Sequence, residues 1–464
     1  MKDLNSIRPD WAWEPFEPDA RQPWNRRAAA HLYRRAGFGA NSHELDEAVK
    51  LGVSGSVNHL LQAGSVVPPA EQAGAAGKIQ ASGGMMSGAV MAGGDPQALG
   101  SWWLYRMLYT QDQSLEKLAL FWHGHFATSA AKVNDTDMML THDALLRRHA
   151  RGDFGALVRG MAQDPGMLVW LDSTTNRKRS PNENFARELM ELFCLGVGNY
   201  TEEDIRGLAR AFTGREVRRG KFIFNARQHD RGSKTFLGQT GAFGGADAVR
   251  IVLEQPATVR FIARKLVRFF ICDEPAVSDA LIDPLARLFR ESDLQVGPIV
   301  ERIFNSNLFH SPLAIARKVR SPVELGIGVL RSLQATTNVQ RLNRKLGQLG
   351  QALYYPPNVK GWDGGRAWIN SSTLLGRCNL VRQTLTAKET RFHGGSLAAV
   401  TQSAGVAGAE DTIDWLLELL VATPPPDSVR QSLVAQAKSG KDNGDQRLLT
   451  LVHSISALPE FQLS

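Results

Sequence analysis

PNENFARELMELFCLGVG, Pro181–Gly198, decides the fold class. Phe185, Leu189, Leu192 and Phe193 recur at three- and four-residue spacing, so a helix places them on one side. Glu183, Arg187 and Glu191 form an i, i+4, i+8 row on another side. Ser180-Pro181 is a helix-start signal, and Gly196 and Gly198 end the pattern. TEEDIRGLARAFTG then opens a second helix, with Thr201 and Asp204 at capping-box spacing.

The same period extends in both directions. In SLEKLALFWHGHF, Leu115, Leu118, Phe121 and Trp122 share a broad face, with Ser114 as a cap. WNRRAAAHLYRRAGFG and NSHELDEAVKLG, with Ser42 as a cap, read as helices, as do DAVRIVLEQPATVRFIARKLVRFFI and SPVELGIGVLRSL, the last with Pro322 in its first turn. The pattern breaks at 216–245, where KFIFNARQHD and SKTFLG flank Arg231-Gly232 and read as a β-hairpin. The expectation is a mostly α protein, a large multi-helix single unit with one small β-hairpin insertion. It divides into an N-terminal extension (1–24), N-terminal helices (25–62), a Gly/Ala/Ser-rich linker or flap (63–96), and a main helical domain (97–464) with the hairpin at about 216–245.

Composition narrows the function classes. A chain of 464 residues, 43% hydrophobic and 22% charged, is ordinary for a large globular protein. Cys194, Cys272 and Cys378 lie far apart, so neither a disulfide framework nor a cysteine zinc site is indicated. The net charge of +8 reads first as a basic surface and, as the sharper alternative, as attraction for an anionic ligand; no nucleic-acid motif is present, so nucleic acid is not expected. No apolar run is long enough for a membrane span, and the charged, proline-rich start is not a secretory signal. The default location is cytoplasmic.

Four polar motifs could carry chemistry. His123 and His125 flank Gly124. Two residues apart on a helix is about 200° of rotation, so they converge on a divalent metal only if the helix stops at Gly124. Glu183, Glu188, Asp135 or Asp137 would complete the ligand set. The alternative makes His125 a hydrogen-bonded core residue and leaves His123 at a surface. Glu183 or Glu188 is also a candidate general base, although a Glu183–Arg187 pair accounts for the charges equally well. At the hairpin, Asp230 suits a turn, whereas His229 and Lys234 could offer a base and a cation. WDGGRAWIN sets Trp362, Arg366 and Asn370 around a flexible turn. The bet is that these motifs converge, with Glu183, Glu188, His229 and Lys234 catalytic, and Arg187, Asp230, Trp362, Arg366 and Asn370 binding substrate. No P-loop, nucleophile elbow or HExxH motif appears.

FWHGHFATS, SPNENFARELMELFCLGVGNYTEEDIRGLARAFTG, HDRGSKTFLGQTG and PPNVKGWDGGRAWINSSTLLGR occur in this order, after LYRRAGFG near the start. Together they closely resemble the bacterial family known only as domain of unknown function 1800. The resemblance runs from about His31 to the C-terminal helices and implies a helical fold without an assigned activity. It also implies a genomic neighbour, a sulfatase-like exported protein. Cys194 stands where relatives more often carry a hydroxyl residue, so it is given no role. Two functions follow as expectations. One is a metal-dependent hydrolase or oxidoreductase acting on an anionic substrate. The other is a non-enzymatic accessory protein that binds the sulfatase-like neighbour and is exported with it as a passenger.

Overall fold

The computed structural model describes residues 4–62, 96–439 and 444–464. The expected linker or flap at 63–96 lies, apart from Pro96, outside the described residues. The protein is 62% helical, and among the described residues its β structure is three small two-stranded antiparallel sheets. The helices that position the site are α1 (Arg26–Ala36), α2 (Ser42–Gln62), α3 (Gln97–Tyr109), α4 (Gln113–His125), α5 (Thr136–Arg148), α6 (Asn184–Glu188), α7 (Glu202–Ala211), α8 (Pro256–Phe270), α9 (Pro322–Ser332) and α10 (Ser371–Leu385). Buried apolar residues form one continuous cluster from Leu4 to Phe461.

The local signals operate as their chemistry requires. Thr201 and Asp204 close a capping box on α7, and Ser321, Pro322 and Glu324 do the same on α9. Two caps shift by a residue or two. Asp112, not Ser114, accepts from the Leu115 N–H to start α4, and Asn41 exchanges bonds with Glu44 ahead of Ser42. The Pro181–Gly198 stretch is helical but not uniform. After α6 the chain widens into a π-helical turn, Leu189–Cys194, which ends at Gly196 with a φ of +80°. Its Leu195 N–H reaches back to the Met190 carbonyl at 2.8 Å, five residues away.

The hairpin region holds two hairpins. β1 (Arg215–Arg218) pairs with β2 (Lys221–Phe224), and β3 (Lys234–Phe236) pairs with β4 (Gln239–Gly241). Arg219-Gly220 and Leu237-Gly238 are the two-residue turns, all with positive φ, as type I′ geometry demands. Arg231-Gly232 therefore connects the hairpins and is the tip of neither. The third sheet pairs β5 (Ala335–Thr336) with β6 (Arg391–Phe392). The N-terminal extension packs onto the body, with Trp13 Nε1 donating to the Leu281 carbonyl at 2.8 Å.

α4 is buried on nearly every side, including Glu116, Lys117, His123 and His125. Glu116 accepts from Trp103 Nε1 at 2.7 Å and from Arg106 and Arg147 at 2.9 Å each. Lys117 pairs with Glu324 on α9 and donates to the Gly37 carbonyl at 2.9 Å, just past α1. Burial alone would raise the Glu116 carboxyl, but the Arg147 and Arg106 charges overturn that and hold it at about 2. Burial opposes Glu324 in the same way, and Lys117 and Lys318 bring it to about 2.

Glu116→Ala strands two guanidinium groups and is expected to cost about 3–5 kcal/mol, read from the urea midpoint. Both carboxyls are depressed from 4.5 in the fold, so their contribution to stability is complete above that pH. It is lost as the pH falls towards about 2, so the urea midpoint drops steadily from pH 5 to pH 3.

Candidate functional site

The end of α4 meets α8, the π-helical turn and the loop at 349–364 that precedes α10. The two glycines at this junction make the approach possible. Gly361 has a φ of +77°, and a Cβ there would collide with the Gly124 carbonyl. Gly124 itself has open space where its own Cβ would stand. The close backbone contact brings FWHGHF beside KGWDGG and leaves a cavity of about 210 Å³.

Phe121, Phe269, Trp362 and Trp368 give this cavity aromatic walls, and Gly124 and His125 form part of its floor. Lys265, Arg268, Lys318 and Lys360 line it, against Asp273, Glu324 and Asp363. Asp273 is committed to Lys318 at 2.6 Å and to the Val319 N–H at 2.8 Å. Glu324 is committed to Lys117 and the Ser321 N–H. That leaves Lys265, Arg268 and Lys360 facing one carboxylate, Asp363; Arg268, Lys360 and Asp363 are all exposed, and Arg268 donates to the Asp363 backbone carbonyl at 3.0 Å.

Lys265 is tied to the α4 terminus. Its Nζ lies 3.0 Å from His125 Nδ1 and 3.1 Å from the Leu192 carbonyl of the π-helical turn. The other imidazole nitrogen, Nε2, lies 3.0 Å from the Phe193 carbonyl, to which it donates. The ring is thereby fixed as the Nε2–H tautomer, with the Nδ1 lone pair turned to the lysine. Burial, reinforced by the Lys265 charge, holds the His125 imidazolium well below the usual histidine range. Burial also lowers the Lys265 ammonium to about 8, with Arg268 acting in the same direction.

His123 faces away from His125 because α4 stays helical through both. It is buried, contrary to the expected surface position. Its Nε2 accepts from the Tyr354 N–H at 3.1 Å, and its ring packs among Trp103, Tyr354 and Trp362. Burial, with His142 and Arg147 adding to it, brings its pKa down to about 3. Each histidine thus has its own buried partner. Among the described residues no group of three His, Cys, Asp or Glu side chains is arranged to hold a metal ion. Asp135 caps α5 through the Met138 N–H, and Asp137 is exposed.

The remaining candidates separate into three places. On α6, Arg187 pairs with Glu183 at 3.1 Å and with Glu202 at 2.8 Å, a partly exposed surface network. Glu188 lies outside the cavity lining. Burial and the neighbouring Glu191 push its pKa up, while Lys360 pulls against them. At the second place, Lys234 is buried and donates to the Asp230 and Gly232 carbonyls at 2.5 and 2.9 Å. Asp230 pairs with Arg210 at 2.7 Å, and His229 Nδ1 lies 3.0 Å from the Thr213 carbonyl. These contacts build the segment between the two hairpins. At the third, Arg366 is 85% exposed and paired with Glu274, and Asn370 caps α10 through the Thr373 N–H. Of the WDGGRAWIN candidates only Trp362 lines the cavity.

A wider cleft of about 870 Å³ opens between α2 and α9. Its partly buried cation, Arg331, donates to the Leu108 and Thr110 carbonyls and pairs with Glu44 at 3.3 Å, so its charge is already engaged. Sequence reasoning missed Lys265, whose position in FIARKLVRFF beside Arg264 and Arg268 resembles a solvated basic stripe.

Fold and site define a helical protein with an aromatic-walled, lysine-bearing cavity. The chain matches the family described as protein of unknown function, DUF1800, over residues 31–463, and it belongs to that family. Neither a curated protein nor a solved structure matches it. No helix among the described residues is long and apolar enough to cross a membrane.

Gly361→Ala must clear the Gly124 carbonyl at a positive φ and is expected to cost at least about 1–2 kcal/mol. Gly124→Ala meets nothing and is expected to raise stability by up to about 1 kcal/mol. Thermal denaturation of the two variants reads the contrast directly.

Proposed function

We propose that the cavity binds a small organic anion with a flat or apolar body. The observation that carries this is the set Lys265, Arg268 and Lys360 on an aromatic wall, opposed only by exposed Asp363. Aromatic faces would take the body of the ligand, and the three cations its carboxylate or phosphate. Metal-dependent hydrolysis or oxidation through His123 and His125 would require both rings to leave their buried partners. Anion binding requires no such rearrangement.

The test is titration with carboxylates and inorganic phosphate, followed by thermal shift and by the fluorescence of Trp362 and Trp368. Saturable stabilisation is expected. Lys265→Met and Arg268→Ala should each weaken it about tenfold, or about 1.4 kcal/mol. Gly124→Leu should abolish it in a folded protein by filling the cavity. Affinity should fall as the pH rises through about 8, where Lys265 loses its charge. Equal binding by wild type and Gly124→Leu would exclude this site.

A second reading, an accessory protein for the sulfatase-like neighbour, draws on a different surface. Lys178, Arg179, Arg227 and Arg231 surround an open depression of about 830 Å³ and have no acidic partner among the described residues. Phe224, at the end of β2, is 56% exposed. A basic rim beside an exposed aromatic residue suits an acidic face of that neighbour. The purified pair should associate in a salt-dependent manner, and Arg179→Glu with Arg227→Glu should weaken association at least tenfold. Unchanged affinity in the double variant would remove this surface from consideration.

A further inference from the structure

We propose that Lys265 is a nucleophile that forms an imine with a small anionic aldehyde or ketone bound in the cavity. This inference rests on the anion-binding reading, in which Arg268 and Lys360 hold the carboxylate or phosphate. A neutral lysine amine has two N–H groups and one lone pair. Here the two donors have acceptors, His125 Nδ1 at 3.0 Å and the Leu192 carbonyl at 3.1 Å. The remaining tetrahedral position, on a side chain that lines the cavity, carries the lone pair. His125 cannot turn away, because Nε2 is held by the Phe193 carbonyl. The amine is therefore oriented before a ligand arrives.

Two further features suit the chemistry. Desolvation makes a substantial share of the amine neutral near pH 8, the condition under which a lysine attacks a carbonyl. The aromatic walls limit water around the bond that forms. In the reaction the Nζ lone pair attacks the carbonyl carbon, and the C=O π pair moves to oxygen. A proton passes from nitrogen to that oxygen and gives the carbinolamine. A second proton from nitrogen allows the C–O bond to break, and water leaves. The balance is neutral amine plus carbonyl giving imine plus water, with no change of oxidation state, and the imine then takes up a proton from solvent. The surface lysines Lys50 and Lys221 are exposed and lack this desolvated, oriented setting.

The experiment uses the full chain with pyruvate as the probe and cyanoborohydride as the trap, with the modified peptide located by mass spectrometry. The expected result is one dominant secondary amine, at Lys265, formed at least tenfold faster than at Lys50 or Lys221. Its rate should rise as the pH approaches about 8, opposite in sign to the anion affinity, and acetate should protect it. Lys265→Arg should retain pyruvate-induced thermal stabilisation and lose the adduct. If pyruvate stabilises the protein but labelling is spread evenly over surface lysines, the imine is overturned and anion binding stands. If pyruvate neither stabilises the protein nor labels Lys265, both readings fail.

Discussion

A helix buried on nearly every side cannot leave its polar side chains in water, and α4 carries four titratable groups into the interior. Each must find a partner on a different neighbour, because burying an unpaired charge or an unsatisfied polar group costs free energy. Glu116 thereby fixes α3 and α5 through Arg106 and Arg147, and Lys117 fixes α1 and α9. His123 anchors the loop at Tyr354, and His125 anchors the π-helical turn and α8. Apolar packing supplies bulk, but these four directed contacts specify which elements surround the central helix.

The cavity is a product of that arrangement. Once His123 holds Tyr354 on one side and His125 holds Phe193 and Lys265 on the other, the intervening Gly124 has a loop pressed against its carbonyl and open space on its own Cα. The wide turn at Leu189–Cys194 presents the Leu192 and Phe193 carbonyls to Lys265 and His125. The desolvation that lowers the lysine thus comes from the same contacts that position it.

Much of this was legible in the sequence, for identifiable reasons. Helix periods, the Thr201–Asp204 box and the Ser321-Pro322 start depend on near neighbours and read correctly from the chain. FWHGHF and WDGGRAWIN were expected to converge as two of four polar motifs, and the contact between FWHGHF and KGWDGG is made by glycine backbone at Gly124 and Gly361. The hairpin motif was expected at the same place but builds its own turn, since Lys234 and Asp230 spend their polar groups locally. Glu116 and Lys117 look like a solvated face because period analysis finds one apolar side and assigns water to the other. Lys265 was hidden in the same way. A buried cation and an exposed one have the same letter, and only contacts far away in the chain tell them apart.

One of the two buried arginines of α1 bears on how such a chain is made. Arg35 donates to the Ala314 carbonyl at 2.7 Å, 279 residues downstream, and His31 meets the Phe309 carbonyl at a similar remove. On the ribosome, α1 emerges long before either partner exists. With the other acceptor of Arg35 at the Ile271 carbonyl, its full set of partners exists only once just over two-thirds of the 464 residues have been translated, so the amino-terminal segment cannot complete its contacts early. The nascent chain is held open by its own chemistry, and α1 takes its final seat only once the region around Phe309 and Ala314 has emerged.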